Sequence, residues 1–235
     1  MTRELDRPGD LGGGDGRAEL GLPRGFRPVG EPEVVLAFLR GELDSPRFGE
    51  RVRTGLAEAA SAAEPGGGRG GLHLVRCPDL TSAEENRARE RALATARGWR
   101  AEGLFEGFPD RVDWFHGSLP PDALARVLFI DYSYWNELSG GSRRPADVRA
   151  TLESGALPGW VTEIGTDWCF ELAARLATTP TVDDLIVMAT PSLDKMVLLE
   201  GHARLSAVFV GGHDRRLTVN AYVGLSPAVT QWPCF

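Results

Sequence analysis

The apolar and polar positions form their strongest pattern between residues 183 and 207. Residues 185–188 are an unbroken apolar run, which predicts a strand buried on both faces. After a short turn, a second apolar run at 196–199 predicts another strand, and the spacing then becomes helical. The junction of this second strand with the helix carries four residues of chemical interest: Glu200, Gly201, His202 and Arg204.

Other apolar patterns predict elements on both sides of this segment. Helix 83–97 has a cap signal at Ser82, and its four arginines, Arg87, Arg89, Arg91 and Arg97, are predicted to form a solvated face. The remaining predictions are strands at 72–76, 127–130 and 217–223, two helices within 32–63, a short helix opening at Pro120-Pro121, and helices at 146–152 and 168–176. The presence of both helices and strands predicts an α+β fold.

Changes in composition suggest five segments along the chain. Residues 1–30 are rich in Gly, Pro, Arg and Asp, and we predict that they are disordered or loosely held. A glycine-rich linker interrupts the pattern soon after the first helices. A helical segment is predicted at 31–64, and the glycine-rich linker occupies 65–71. An N-terminal αβ extension follows at 72–119, and a C-terminal domain at 120–235.

Charge and cysteine content narrow the function classes. The chain has 235 residues and a formal net charge of −7, which argues against a general nucleic-acid binder. The three cysteines, Cys77, Cys169 and Cys234, form no C-x-x-C pair, which fits a reducing compartment. We recognise neither a signal peptide nor an apolar run of about 18 residues. A cytoplasmic protein without a membrane span is therefore expected.

The junction at residues 200–204 predicts an anion site. The first backbone N–H groups of a helix lack intrahelical partners, and the helix dipole favours negative charge there. Gly201 permits close approach of a ligand, His202 and the Ala203 backbone add donors, and the Arg204 fork matches phosphate geometry. The alternative interpretation is that Gly201 makes a turn, His202 caps the helix and Arg204 faces solvent.

A second candidate stretch, residues 131–144, follows the predicted strand at 127–130. It contains Asp131 and Glu137 as candidate carboxylates and ends in a Gly-Gly-Ser-Arg-Arg loop. Arg143 or Arg144 would clamp a phosphate or carboxylate group. The equally weighted alternative is a helix that ends at glycine and is followed by two surface arginines.

Residues 120–235 resemble the ParB/sulfiredoxin superfamily. The matching frame is the strand at 127–131, the helix around 171–176, the strands at 185–189 and 217–223, and the Glu200-Gly201-His202-Ala203-Arg204 motif. The resemblance implies a small mixed sheet with packed helices, preceded by an N-terminal helical and αβ extension. Only about a dozen residues follow Val223, which disfavours DNA partitioning, and no cysteine stands beside Gly201, which disfavours sulfinic acid reduction. The resemblance is closest to the nucleotide-using branch with its Asp-Gly-His-His-Arg motif, from which Ala203 departs.

The resemblance implies a nucleotide-dependent phosphotransferase or nucleotide hydrolase that acts on a small metabolite. Gly201, His202, Ala203 and Arg204 would hold the phosphates of ATP or another nucleotide. Glu200 would bind Mg²⁺ or accept a proton, with Asp131 or Glu137 as the alternative base. The competing hypotheses are a non-catalytic ligand- or partner-binding protein of the same fold, and a protein of this fold that binds no nucleotide.

Overall fold

The structure is a computed structural model that describes residues 21–63 and 70–235. Its strands are β1 (Arg27–Pro28), β2 (Asp113–Leu119), β3 (Val127–Phe129), β4 (Leu185–Ala189), β5 (Met196–Glu200) and β6 (Val219–Leu225). Its helices are α1 (Glu31–Leu43), α2 (Gly49–Ala63), α3 (His73–Arg76), α4 (Ala83–Arg97), α5 (Pro121–Leu124), α6 (Ser133–Leu138), α7 (Val148–Ser154), α8 (Gly159–Ile164), α9 (Trp168–Thr178) and α10 (His202–Val210). Short 3-10 turns occupy Gly103–Phe105, Pro145–Asp147 and Pro227–Gln231.

The strands form one mixed sheet in the order β1-β2-β6-β4-β5-β3. Strand β4 is parallel to β6 and antiparallel to β5, and β5 is parallel to the edge strand β3. Phe129 of β3 pairs with Leu198 of β5, so both strands end at the same edge of the sheet. That edge therefore receives Asp131 from one strand end and Glu200 from the other.

Two apolar cores lie on opposite faces of the sheet. Leu185 and Val187 of β4 belong to the core formed with α9 and α10, whereas Ile186 and Met188 belong to the core formed with α1, α2 and α4. All five residues of β4 are buried, as the unbroken apolar run predicts. The architecture is therefore a mixed sheet between two helical layers, which agrees with the α+β class.

Most strongly patterned elements are confirmed. These include both helices within 32–63, the helix at 83–97, the two strands at 185–199 and the helix that starts at residue 202. Ser82 caps α4 by accepting a hydrogen bond of 3.2 Å from the Glu85 N–H. The predicted strand at 72–76 is wrong, because Leu74 and Val75 lie in the short helix α3 and pack into the core beside α4.

The predicted solvated arginine face of α4 is wrong at two of its four positions. Arg89 is fully buried, and its guanidinium donates to the Leu74 and Asp79 carbonyls at 3.0 Å each. The Arg97 side chain is only 18% exposed, because it turns towards α1. Arg87 and Arg91 are exposed as predicted.

The predicted division at residue 120 falls between two strands of one sheet. Strand β2, from the predicted extension, pairs with β6 from Asp113↔Leu225 to Leu119↔Val219. In the predicted disordered segment 1–30, residues 1–20 lie outside the described residues. Arg27 and Pro28 pair with β2, and Phe26 is buried. The predicted linker at 65–71 lies outside the described residues up to residue 69.

Candidate functional site

The strand-to-helix turn at residues 200–202 has a backbone conformation that favours glycine. Gly201 adopts a left-handed conformation with φ of 99°, and a Cβ there would lie 2.5 Å from the Leu185 side chain. No side chain caps α10 at Gly201, so within the described residues its first N–H groups have no side-chain cap as a partner. The local geometry is therefore that of a helix start shaped for glycine.

Glu200 and Arg204 form an ion pair across this turn. The Arg204 Nη2 atom donates to the Glu200 carboxylate and, at 3.2 Å, to the backbone carbonyl of Asp184. Both side chains are largely buried, at 10% and 16% exposure. Arg204 thus does not face solvent, which contradicts the alternative interpretation of this residue.

The N-terminal helices cover the Glu200 carboxylate. An ideal Cβ on Gly41 of α1 would lie 2.8 Å from the Glu200 Oε2 atom, so only glycine allows α1 to pass this close. The next residue, Glu42, forms an ion pair of 3.1 Å with the Nε atom of Arg97 from α4. The turn at residue 201 is therefore completed by residues more than a hundred positions earlier.

His202 occupies an aromatic environment at the start of α10. Its ring stacks on Trp135 of α6, with centroids 4.7 Å apart and planes inclined by 23°. Phe129 of β3 packs beside it at 5.6 Å. The His202 Nε2 atom is buried and has no hydrogen-bond partner among the described residues. Trp135 belongs to the second candidate stretch, so the structure brings one residue of that stretch onto the turn.

Burial and nearby charge shift the titration of these groups. Burial raises the pKa of the Glu200 carboxyl, an effect that the adjacent Arg204 opposes. Burial also raises the pKa of Glu42, against the opposing effect of Arg97. For His202, burial together with the positive charges of Arg97 and Arg204 lowers the pKa to about 3. His202 is therefore neutral at physiological pH.

The other predicted site residues lie on α6 and the loop after it. Asp131 has a side chain that is 52% exposed and accepts a hydrogen bond of 2.8 Å from Asn136 Nδ2. Glu137 and Arg144 are exposed. Ala203 is half-buried in the first turn of α10.

Arg143 takes a structural position instead of a position on the turn. Its guanidinium donates to the Phe129 carbonyl at 2.7 and 2.9 Å, and its donors reach the Cys234 and Phe235 oxygens at 3.3 Å. The predicted phosphate clamp would therefore require Arg143 to give up these hydrogen bonds.

Sequence reasoning did not predict that Gly41, Glu42 and Arg97 lie near the turn, or that Trp135 of the second candidate stretch packs on it. A signal for Glu42 exists, because it stands four positions after Phe38 on the buried face of α1. A carboxylate on an apolar helix face is rarely buried without a partner. No comparable pattern identifies Arg97 as its partner, since α4 carries arginines on several faces.

The described part of the chain, residues 21–63 and 70–235, contains possible metal ligands and thiols. Within residues 21–63 and 70–235, no group of three or more His, Cys, Asp or Glu side chains is placed to hold a metal ion. Arg97 and Arg204 beside Glu200 also oppose a resident cation. Burial raises the pKa of Cys169 to about 12, so its thiol is not an activated nucleophile.

Comparisons with protein-family models, curated proteins and solved structures gave no match to this chain. The resemblance to the ParB/sulfiredoxin superfamily therefore stays a prediction. In the described part of the chain, no helix combines the length and apolar character that crossing a bilayer requires.

Proposed function

We propose that this protein is a nucleotide-dependent phosphotransferase or nucleotide hydrolase that acts on a small metabolite. The nucleotide phosphate would bind at the amino-terminal turn of α10. The observation that carries the proposal is the buried His202 Nε2 atom, which has no partner among the described residues at a helix end that already favours anions. Arg204 supplies a guanidinium in the same turn.

Glu200 is the proposed proton acceptor. The oxygen of an acceptor hydroxyl or of water would bond to the terminal phosphorus while the bond to the nucleoside diphosphate breaks, and Glu200 would take the released proton. A buried carboxyl with a raised pKa suits this role. Glu200 is paired with Arg204, so binding of the phosphate has to weaken this ion pair before Glu200 can accept a proton.

Mg²⁺ is proposed to arrive with the nucleotide. Magnesium sites of this kind use one or two carboxylates together with substrate phosphates. Because Arg97 and Arg204 flank Glu200, the ligand-free protein is not expected to hold the ion. Calorimetry with each nucleotide, with and without Mg²⁺, tests this expectation.

A non-catalytic ligand- or partner-binding protein is the second candidate. The observation that favours it is the engagement of the Glu200 carboxylate by Arg204 beneath α1. Such a protein would bind an anion without turnover. The Glu200→Gln variant separates the two candidates, because an enzyme would lose turnover and keep binding, whereas a pure binder would have no turnover to lose.

The first experiment is titration of the protein with ATP, ADP, CTP and GTP. A ligand present at 100 times its dissociation constant adds about 2.7 kcal/mol of stability, which thermal denaturation detects. Replacing Arg204 alone would leave a buried unpaired carboxylate and risk unfolding. The double variant Glu200→Gln/Arg204→Gln removes both charges and is expected to fold but to lose nucleotide binding.

The exposed Arg87→Gln variant on α4 serves as the matched control and should bind like the wild type. Wild-type affinity in the double variant would remove the α10 turn as the phosphate site. A flat response of the wild-type protein to all four nucleotides would reject nucleotide binding.

A further inference from the structure

Arg97 is held within the N-terminal helical layer by contacts on two sides. Its Nε atom lies 3.1 Å from the Glu42 carboxylate, and its guanidinium carbon lies 3.7 Å from the ring centroid of Phe48. A guanidinium flat against an aromatic ring keeps its N–H groups free to act in the plane of the fork. The position of Arg97 is thus fixed by α1 and by Phe48, the residue that directly precedes α2.

From this position the charge of Arg97 interacts with that of Glu200. Gly41 touches the Glu200 carboxylate, and Glu42, which holds Arg97, is the next residue of α1. The positive charge of Arg97 is also one of the two that act on His202. Arg97 therefore approaches the turn from the N-terminal helical layer, whereas Arg204 approaches it along α10.

Three nitrogen atoms in this region have unmet hydrogen-bonding capacity, as does one oxygen, Oδ1 of Asn136 on α6. Arg97 Nε, Arg204 Nε and His202 Nε2 are all buried and lack a hydrogen-bond partner within the described ranges. Arg97 Nε is close enough to Glu42 for an ion pair, but its N–H is not directed at the carboxylate. Buried donors without acceptors are costly, and an oxyanion would satisfy them.

We infer that Arg97 binds the anionic group of the ligand together with His202 and Arg204. The ligand group would be a terminal phosphoryl group, whose oxygens accept from the two Nε–H groups and from the Nε2–H tautomer of His202. This inference rests on the proposed phosphate site and adds α4 to it. The site would then be complete only when the N-terminal helical layer is packed on the sheet.

The test is a titration of the wild-type protein with inorganic phosphate, followed by ¹H–¹⁵N NMR of the arginine Nε–H groups. Arg97→Lys and Arg204→Lys variants assign the two signals. We expect both signals to shift and to saturate with one dissociation constant. A shift of the Arg204 signal alone would overturn the role of Arg97 and keep the phosphate site. No shift of either signal, with no nucleotide binding, would overturn the phosphate site itself.

A variant series checks the same inference by affinity. Glu42→Gln/Arg97→Gln removes both partners of the ion pair, so that neither buried charge is left alone. We expect its affinity for phosphate to fall at least tenfold, whereas Arg87→Gln on the same helix keeps wild-type affinity. Unchanged affinity in the folded double variant would overturn the inference. If that variant does not fold, the wild-type NMR titration decides.

Discussion

At the scale of single residues, His202 shows how burial changes the chemistry of a side chain. Its imidazole is buried against the aromatic rings of α6 and β3, and the charges of Arg97 and Arg204 act on it. Burial and the two arginines lower its pKa to about 3, far below the usual value of about 6.5 in an unfolded chain. Between about pH 3 and about pH 6.5, native His202 therefore stays neutral, whereas the same histidine in the unfolded chain becomes protonated.

Acidification is expected to destabilise the protein through His202. As pH falls below about 6.5 the unfolded state takes up a proton that native His202 refuses, so the free energy of unfolding decreases by up to about 1.4 kcal/mol per pH unit. In His202→Gln this contribution is absent. Urea denaturation should show the wild type losing about 1.6 kcal/mol relative to the variant between pH 6.5 and pH 5.

Glu42 and Glu200 do not obscure this comparison. Their raised pKa values act with the opposite sign, because the native state binds their protons first as pH falls. Both carboxyls are present in the wild type and in the variant, so the difference isolates His202. An Arg87→Gln control, which removes an exposed group that stays charged across this pH range, should keep the wild-type dependence. Parallel pH profiles for wild type and His202→Gln would contradict the buried neutral histidine.

At the scale of elements, the sequence predicts long periodic segments better than short ones. The apolar runs at 185–188 and 196–199 predict a pair of buried strands, and the structure contains both. The sequence pattern does not predict strand β2, because buried and exposed residues do not alternate along it and Gly117 interrupts it. A Cβ on Gly117 would lie 2.7 Å from the Phe26 ring, so this strand depends on a partner distant in sequence.

The candidate site divides in the same way. The local part, from Glu200 to Arg204, is predictable because a strand end, a glycine and a helix start are adjacent in sequence. The covering part is not predictable, because the Glu42–Arg97 pair depends on how α1 and α4 pack on the sheet. Local patterns do not encode that packing.

Arg143 is predicted to stabilise the end of β3. It adopts a left-handed conformation with φ of 60° and donates to the Phe129 carbonyl. Hydrogen bonds from a charged donor contribute about 1.5–3 kcal/mol each. Because the Arg143 side chain is only 15% exposed, we expect Arg143→Ala to cost about 2 kcal/mol in urea denaturation.

Arg144 provides the matched control for that experiment. Its side chain is exposed, so Arg144→Ala should change stability by less than about 0.5 kcal/mol. Equal effects of the two substitutions would contradict a structural role specific to Arg143. Loss of phosphate affinity in Arg143→Ala at unchanged stability would instead support the clamp predicted from sequence.

At the scale of the whole molecule, one sheet serves both helical layers. Each central strand sends alternate side chains into opposite cores, so neither layer has a hydrophobic core without the sheet. The ion pairs Glu42–Arg97 and Glu200–Arg204 meet where the N-terminal layer crosses the sheet edge. The candidate site is therefore a property of both halves of the chain.

This arrangement predicts that residues 120–235 do not fold alone. In that fragment β6 would lose its partner β2, and one face of the sheet would lose α1, α2 and α4. The apolar side chains exposed on that face, each no more than 9% accessible in the full chain, are Ile186, Met188, Val197, Leu199 and Tyr222. At about 1.5–3 kcal/mol for each such side chain, the loss is on the order of 10 kcal/mol, comparable to the whole stability of a typical domain.

Urea denaturation followed by circular dichroism, together with NMR, measures this outcome. The full chain should unfold in one cooperative transition, whereas the fragment should show poorly dispersed amide signals and no sigmoidal transition. A dispersed spectrum and a cooperative transition for the fragment would mean that the C-terminal half is an autonomous domain. In that case α1 and α4, the helix that carries Arg97, would be an accessory layer that the fold of residues 120–235 does not require. The expected result would instead make the N-terminal helices part of the fold on which residues 200–204 depend.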